Sequence, residues 1–170
     1  MKLNRKTVIL LVITMMWMTV IFRMSAAPAA ESSETSESVG KIICGLFIPD
    51  YDELSVEEQT NMAKAIDHPV RKAAHVTEYL ILGILMALLF VSADKANNRD
   101  RYSKISFFVK PFTICALYAA SDEFHQLFVP GRSGQVKDVL IDSCGILIGT
   151  VIIWIVSKTS FHHISHTQVN

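Results

Sequence analysis

Residues 138–156 read DVLIDSCGILIGTVIIWIV, an apolar run whose charged side chains, Asp138 and Asp142, both lie near its start. Gly145 and Gly149 have the GxxxG spacing, which lets two membrane helices approach each other closely. These four residues follow the i, i+4, i+7, i+11 spacing of one helix face. The stretch therefore predicts a membrane helix that packs through this face and carries Asp142 into the interior of a helical bundle.

Three more apolar blocks precede this run, at residues 7–22, 76–93 and 111–120. A helix needs about 20 mostly apolar residues to cross a bilayer, and each block approaches that length with its flanks. Hydrophobic residues make up 51% of the chain and charged residues 19%, whereas soluble domains carry about a quarter charged residues. The sequence predicts an all-α membrane protein, a bundle of about four transmembrane helices. Buried core helices of a soluble protein are a disfavoured alternative, because charged residues flank each block.

The overall composition argues against several other classes of protein. The chain has 16 basic and 16 acidic residues, so it lacks the basic excess of a nucleic-acid-binding domain, and nucleic acid is not an expected partner. Its 3 cysteines have neither CxxC spacing nor the density of a disulfide framework. We expect no cofactor and no metal, and the lipid bilayer is the partner that composition predicts. The oligomeric state is left open.

Basic residues near the apolar blocks predict the orientation of the chain. Short cytoplasmic segments carry an excess of Lys and Arg, whereas residues 24–75 hold more acids than bases. We therefore expect both termini in the cytoplasm, and residues 24–75 and 129–137 outside. The basic residues that support this orientation are Lys2, Arg5, Lys6, Lys95, Arg99, Arg101, Lys104 and Lys158.

The N-terminal run allows two interpretations. A basic start, an apolar stretch and Ala27-Pro28-Ala29 resemble a cleavable signal peptide. Residues 7–22 are long for the apolar part of such a peptide and contain Trp17, so a retained anchor over residues 1–23 is favoured. The remaining helices keep their orientation under either interpretation.

Residues 24–68 form the predicted external segment. Residues 26–40 are rich in Ala, Ser and Glu, which predicts a flexible stretch. Ser55 followed by Glu58 is a capping box, which predicts a short amphipathic helix over residues 56–66.

The rest of the chain is divided between a membrane core and a tail. Pro69 suits the first turn of a helix, and this helix is expected to continue unbroken to residue 93. Residues 69–157 then form a three-helix core and residues 158–170 a cytoplasmic tail. The histidines of the tail, expected to be solvated, are His162, His163 and His166.

Ionisable side chains at membrane depth cost at least about 2.5–3.5 kcal/mol each, so they are rare and usually functional. On the helix that starts at Pro69, Arg71, His75 and Glu78 share one face. On the next helix, predicted to run to about residue 128 with Pro111 in the first turn of its embedded part, residues 121–126 read SDEFHQ. If that helix ended at residue 120, these residues would instead lie in a solvated loop.

We expect three helices to bring these polar residues to one pocket that opens to the outside. Arg132 and Lys137, in the loop before the last helix, are candidate counter-ions for Asp142. The candidate catalytic residues are His75, Glu78, Asp122, Glu123, His125 and Asp142, and the candidate substrate-binding residues are Arg71, Gln126, Arg132 and Asp138.

Three kinds of chemistry fit such a cluster. A histidine paired with a carboxylate can act as general acid and base. Divalent-metal binding is disfavoured, because the chain has no local signature such as HExxH. A structural lock of interhelical hydrogen bonds, each worth about 0.6 kcal/mol on average, is the third.

These motifs resemble the VanZ family of small membrane proteins. The resemblance spans residues 17–156 and is most specific at residues 121–126, Ser-Asp-Glu-x-His-Gln, followed by Pro-Gly-Arg at residues 130–132. The other stretches that carry it are Trp17 with Ile21 and Phe22, residues 71–75 with Glu78 and Tyr79, and Asp138 with Asp142, Gly145 and Gly149.

The resemblance implies a setting in the bacterial envelope, because the founding member of the family is associated with resistance to glycopeptide antibiotics, chiefly teicoplanin. We expect a multi-pass protein of the bacterial cytoplasmic membrane whose external pocket binds or acts on a cell-envelope component, such as a lipid-linked one. Whether it catalyses a reaction is left open. One alternative is an envelope protein whose polar cluster only fixes helix packing. A proton relay or transporter is disfavoured, since the cytoplasmic halves of the core helices lack a polar path beyond Thr113 and Thr150.

Overall fold

The computed structural model describes residues 4–97 and 104–167, with side chains described in these ranges except at 104–106 and 159–167. The described residues form α-helices and one short 3₁₀ helix, and they contain no β-strand, which confirms the all-α prediction for this part of the chain. The helices are α1 (Arg5–Ser25), α2 (Ala29–Phe47), α3 (Val56–Ala65), α4 (Asp67–Ala96), α5 (Lys104–Gln126) and α6 (Val136–Thr167), and the 3₁₀ helix is Tyr51–Glu53.

Three of the described helices are long and apolar enough to cross a membrane: α1, α4 and the Val136–Lys158 part of α6. The 23 residues of α5 are more polar at both ends. Between those ends its outward side chains are apolar, since Val109, Ile114 and Leu117 are exposed. A fourth span formed by α5 stays a prediction.

α4 and α6 touch through their backbones. A Cβ atom added at Gly145 would lie 2.4 Å from the carbonyl oxygen of Val76, and one added at Gly149 would lie 2.3 Å from that of Leu80. Only glycine permits this approach, so the prediction that the GxxxG face packs inward is confirmed. Asp142 lies on that face and is 0% exposed.

α1 runs antiparallel to α4. Near the start of α1, the hydroxyl groups of Thr7 and Ser92 share a 2.9 Å hydrogen bond. At the same end of the bundle, Ala87, Phe107 and Ile153 form a buried apolar cluster. The start of α1, the end of α4, the start of α5 and the apolar end of α6 therefore lie together.

Short-range signals explain several helix boundaries. Asn4 caps α1 by accepting a 2.8 Å hydrogen bond from the backbone N–H of Thr7. The capping box of α3 is confirmed, because Ser55 Oγ accepts from the backbone N–H of Glu58 and Glu58 Oε2 accepts from that of Ser55. α4 is unbroken, as predicted, with Pro69 in its first turn.

The prediction that residues 26–40 are flexible is wrong, because α2 begins at Ala29 and continues through them. Ser36, Gly40 and Cys44 recur four residues apart and are buried. Gly40 lies against Ala63 of α3, so packing between the two helices stabilises a segment whose composition alone indicates a flexible stretch.

Two further boundaries differ from the prediction. α5 begins at Lys104, ahead of its predicted embedded part, and Pro111 lies inside the helix. It continues to Gln126, which excludes the alternative of a loop after residue 120. α6 passes the predicted tail boundary and ends at Thr167. The predictions that fall outside the described residues or side chains concern Lys2, Arg99, Arg101, Lys104, His162, His163 and His166.

Candidate functional site

A cleft of about 170 Å³ lies where the first turns of α4 face the loop between α5 and α6. Its lining has three permanently charged cations and two histidines against one carboxylate, so the cleft favours anions. The lining residues are His68, Arg71, Lys72, His75, Gly131, Arg132, Ser133, Gln135 and Asp138. Three of the four predicted substrate-binding residues, Arg71, Arg132 and Asp138, are therefore brought together.

Arg132 is held in the cleft by the end of α1. Its Nε donates to the carbonyl of Ala27 at 2.9 Å, and its Nη2 donates to the carbonyl of Met24 at 3.1 Å. The last carbonyl groups of a helix have no partner within the helix, so they are natural acceptors. Gly131 supplies the turn before Arg132 with a φ of 74°, a conformation that favours glycine.

The charge of Arg132 is not matched by a carboxylate. Among the described residues, no acid lies within ion-pair distance of its guanidinium group. Burial lowers the pKa of Arg132, yet a guanidinium keeps its proton at physiological pH. Arg132 therefore places a positive charge in the cleft without a direct acidic partner, and the carboxyl groups of Asp122, Glu123 and Glu78 interact with it only at longer range.

The other two cations of the cleft have acidic partners. Lys72 forms an ion pair and hydrogen bond with Asp138 of α6. Arg71 pairs with Asp67 one turn earlier in α4, with 2.9 Å between Nη2 and Oδ2. Asp138, predicted to bind substrate, is thus engaged by Lys72, a residue that the sequence analysis did not select.

Four carboxyl groups are buried beside the cleft on α4, α5 and α6. Glu78, Asp122, Glu123 and Asp142 are 9%, 2%, 5% and 0% exposed. Their burial excludes the solvated loop that was the alternative for the acids of residues 121–126.

Gln126 and the cleft-lining loop bind two of these acids. The Nε2 of Gln126 donates to Glu123 Oε1 at 3.0 Å and to Asp122 Oδ2 at 3.4 Å. The backbone N–H of Gln135 donates to Glu123 Oε2 at 2.9 Å, which joins the acids to the cleft. Gln126, predicted to bind substrate, therefore bonds within the protein and does not line the cleft.

Asp142 has no such support. Within the part of the chain that the structure describes, neither of its buried carboxylate oxygens forms a hydrogen bond. The prediction that Arg132 or Lys137 is its counter-ion is wrong. Arg132 binds the carbonyl groups of Met24, in the last turn of α1, and of Ala27, just after it, and Lys137 is exposed.

The two predicted histidines have different surroundings. His75 lines the cleft, and its Nδ1 lies 3.9 Å from Glu78 Oε2, so the predicted histidine–carboxylate pair is brought together. His125 packs its ring against Phe22 of α1, with 4.6 Å between the ring centres. His125 does not line the cleft.

α1 contributes side chains that were not among the predicted catalytic or substrate-binding residues. Ser25 donates a 2.8 Å hydrogen bond to Asp122 Oδ2. Trp17 donates through Nε1 to the carbonyl of Glu78 at 2.9 Å. Nothing local in the sequence links Ser25 to an acid 97 positions away, whereas the aromatic residues of α1 formed part of the motif resemblance.

Residues 10–157 match the family model described as VanZ/LLP1. The chain belongs to the VanZ/LLP1 family. No curated protein and no solved structure matches it.

The match includes every candidate site residue of this VanZ/LLP1 protein and confirms the resemblance drawn from its motifs. The arrangement provides an anion-attracting cleft, one histidine–carboxylate pair at its edge and a layer of buried acids. Among the described residues, no group of three or more His, Cys, Asp or Glu side chains is placed to hold a metal ion. The chemistry available here is electrostatic binding and proton exchange at His75.

Proposed function

We propose that this protein is a multi-pass envelope membrane protein whose basic cleft binds an anionic group of a cell-envelope component. Arg132 carries the proposal, because its charge lies in the cleft without an acidic partner. An arginine binds phosphate or carboxylate groups through paired hydrogen bonds. Lys72 and His75 line the same cleft and supply further donors.

The orientation of the chain is part of this proposal. α5 is the fourth span, both termini are cytoplasmic, and the cleft faces outside the bacterial cytoplasmic membrane. Positively charged residues near the other end of the bundle, such as Lys6 and Lys95, support this orientation. Because glycopeptide antibiotics act outside the membrane, the proposal extends to a contribution to teicoplanin resistance.

The test is complementation of a deletion strain challenged with teicoplanin and vancomycin. Arg132→Gln should fail to restore the wild-type response, because it removes the unpaired charge from the cleft. Arg23→Gln is the matched control, since Arg23 is exposed at the same end of α1 and does not line the cleft. Immunoblots of membranes establish that the variants are equally abundant.

Two results contradict parts of the proposal. Equal killing with and without the gene removes the contribution to resistance. Full complementation by Arg132→Gln at normal abundance removes the role of the cleft.

The orientation has its own test. Cys44, Cys115 and Cys144 are replaced by Ser, and single cysteines are placed at the exposed positions Ser133 and Lys6. A membrane-impermeant thiol reagent applied to whole cells should label the cysteine at 133 and leave that at 6 unlabelled. Permeabilised cells should show both. Labelling of position 6 alone in whole cells would reverse the orientation.

A structural lock is the second candidate, favoured by the bonds that Gln126 makes to Asp122 and Glu123. Under this function the cluster only holds α5 in register. Gln126→Ala would then lower membrane abundance and the phenotype together, whereas loss of phenotype at normal abundance in Arg132→Gln would favour ligand binding.

A further inference from the structure

A second cleft lies at the opposite end of the bundle, between the start of α1 and the last turns of α4. Its volume is about 110 Å³. Two lysines and no acid belong to its described lining, so this cleft also favours an anion. The described lining residues are Asn4, Lys6, Leu88, Val91, Ser92 and Lys95.

Hydrogen bonds at the start of α1 determine which polar groups of this cleft can donate to a ligand. The Oδ1 of Asn4 accepts from the backbone N–H of Thr7 at 2.8 Å and from its hydroxyl at 2.9 Å. Because the hydroxyl proton of Thr7 is used in this way, Ser92 donates the 2.9 Å hydrogen bond that joins the two hydroxyl groups. Asn4 is thus fixed through its oxygen, which leaves its Nδ2 amide as the donor that it can offer to a ligand.

The charged groups of the cleft are exposed and basic. Lys6 and Lys95 are both exposed, and no carboxylate in the described ranges lies within ion-pair distance of Lys6. The N-terminus of α1 adds a partial positive charge. Two ammonium groups and the amide of Asn4 together suit an anion with several acceptor oxygens, such as a phosphate group.

The walls of the cleft favour a lipid phosphate over a free one. Leu88 and Val91 form the apolar part of the lining, and Val8 and Ile9 of α1 are exposed nearby along the chain. Both helices are long and apolar enough to cross a membrane, and lysines at the ends of such helices place their ammonium groups at the membrane interface. The cleft therefore lies at the level where phosphate groups join acyl chains.

We propose that this second cleft binds the phosphate group of an anionic phospholipid, whose acyl chains lie along α1 and α4. Basic pockets between membrane helices bind such headgroups. A zwitterionic lipid adds a cationic group that needs an acid or an aromatic ring, and the described lining has neither. The bound lipid joins α1 to α4 at the end of the bundle away from the Arg132 cleft.

The test compares lipids that have identical acyl chains. The thermal unfolding midpoint, Tm, of the full chain is measured in detergent micelles with added dioleoylphosphatidylglycerol, which is anionic, or dioleoylphosphatidylcholine, which is zwitterionic. A ligand that binds only the folded state raises stability with the logarithm of its concentration, so Tm should rise by roughly 3–5 °C for each tenfold increase in phosphatidylglycerol above Kd. Phosphatidylcholine and inorganic phosphate should each produce a much smaller rise.

Two matched pairs of substitutions locate the effect. Lys6→Gln combined with Lys95→Gln should remove most of the rise in Tm, because both ammonium groups of the cleft are lost. Lys110→Gln combined with Lys158→Gln is the control and should keep the rise, since it removes the same charge from exposed positions outside the cleft at the same end of the bundle. Lys6→Gln alone should shift the rise to higher lipid concentration, and it serves as the test if the double variant does not fold.

The proposal is overturned if phosphatidylglycerol and phosphatidylcholine give the same Tm. It is also overturned if the two pairs of substitutions lose the same share of the rise, because lipid charge would then act on the whole basic end and not at one site. A full rise with inorganic phosphate alone would show that the cleft binds a free anion and not a lipid. None of these results depends on whether the Arg132 cleft binds an envelope component.

Discussion

The two ends of the bundle hold the same helices together by different chemistry. Where α1 begins and α4 ends, Ala87, Phe107 and Ile153 form an apolar cluster, and Thr7 and Ser92 add a hydrogen bond. At the opposite end, four carboxyl groups are buried among α4, α5 and α6. The apolar end shows that these helices pack without buried acids.

This difference bears on the role of the buried acids. Removing a carboxylate from water costs several kcal/mol even after the protein relaxes. Apolar side chains hold the helices together at the other end of the bundle. The helices therefore do not need the costly desolvation of Asp122 and Asp142 in order to associate. We therefore infer that these two acids have a role beyond bringing the helices together.

The largest expected effect comes from placing a bulky side chain at the backbone contact between α4 and α6. Gly145→Leu should prevent the approach of α6 to the carbonyl of Val76 and destabilise the fold by about 3 kcal/mol or more. Cys144→Leu is the control, because Cys144 directly precedes Gly145 in α6 and is exposed. Size-exclusion profiles and Tm in detergent report the outcome. Equal effects of the two substitutions would mean that α4 and α6 are not in backbone contact.

The same substitution at each end measures the difference between them directly. Ser25→Ala removes a hydrogen bond to the buried carboxylate of Asp122 and should destabilise the protein by about 1.5–3 kcal/mol. Ser92→Ala removes a neutral bond, for which about 0.6 kcal/mol is expected, and Thr7 keeps its bond to Asn4. Denaturation monitored by Trp fluorescence gives both values. A larger loss in Ser92→Ala would reverse the comparison.

The smallest effect is expected outside the spans, at the exposed start of α3. The hydrogen bond from the Ser55 side chain lowers the pKa of Glu58. A carboxyl group whose pKa is lower in the folded state stabilises the fold at pH values above its unfolded pKa of about 4.3. This stabilisation is lost as the pH falls through the pKa of the folded state.

The amide groups of α3 should therefore exchange hydrogen faster, after correction for intrinsic rates, at a pH below the folded pKa of Glu58 than at a pH above its unfolded value. Ser55→Ala should remove most of this difference, whereas Ser38→Ala on α2 should leave it unchanged. A pH-independent α3 in the wild type would contradict the capping box.

Patterns local in sequence predicted much of the architecture. The glycine spacing of residues 145 and 149 predicted the inward face of α6, and Asp142 lies there. Ser55 and Glu58 predicted the start of α3 because a capping box depends on neighbours three positions apart. The helical spacing of His75 and Glu78 likewise predicted that they form a pair, and their side chains lie 3.9 Å apart.

Contacts between distant segments could not be predicted in the same way. The composition of residues 26–40 gave no sign of α2, because its burial depends on the matching surface of α3. Arg132 was expected to bind an acid, but it binds the carbonyl groups at the end of α1. Backbone acceptors of this kind exist at every helix end, so side-chain identity does not reveal which one is used.

The length of α4 has a consequence for the lipid around it. Its 30 residues extend about 45 Å at 1.5 Å per residue, whereas a hydrocarbon core is about 30 Å thick. Only residues 76–93 of α4 are mostly apolar, about 27 Å at the same rise, so the surplus length is the polar first turns that carry Arg71, Lys72 and His75. Because α6 is in backbone contact with α4, the two helices would tilt together. Bilayers of different acyl-chain length would therefore change the distance between these polar turns and the lipid headgroups.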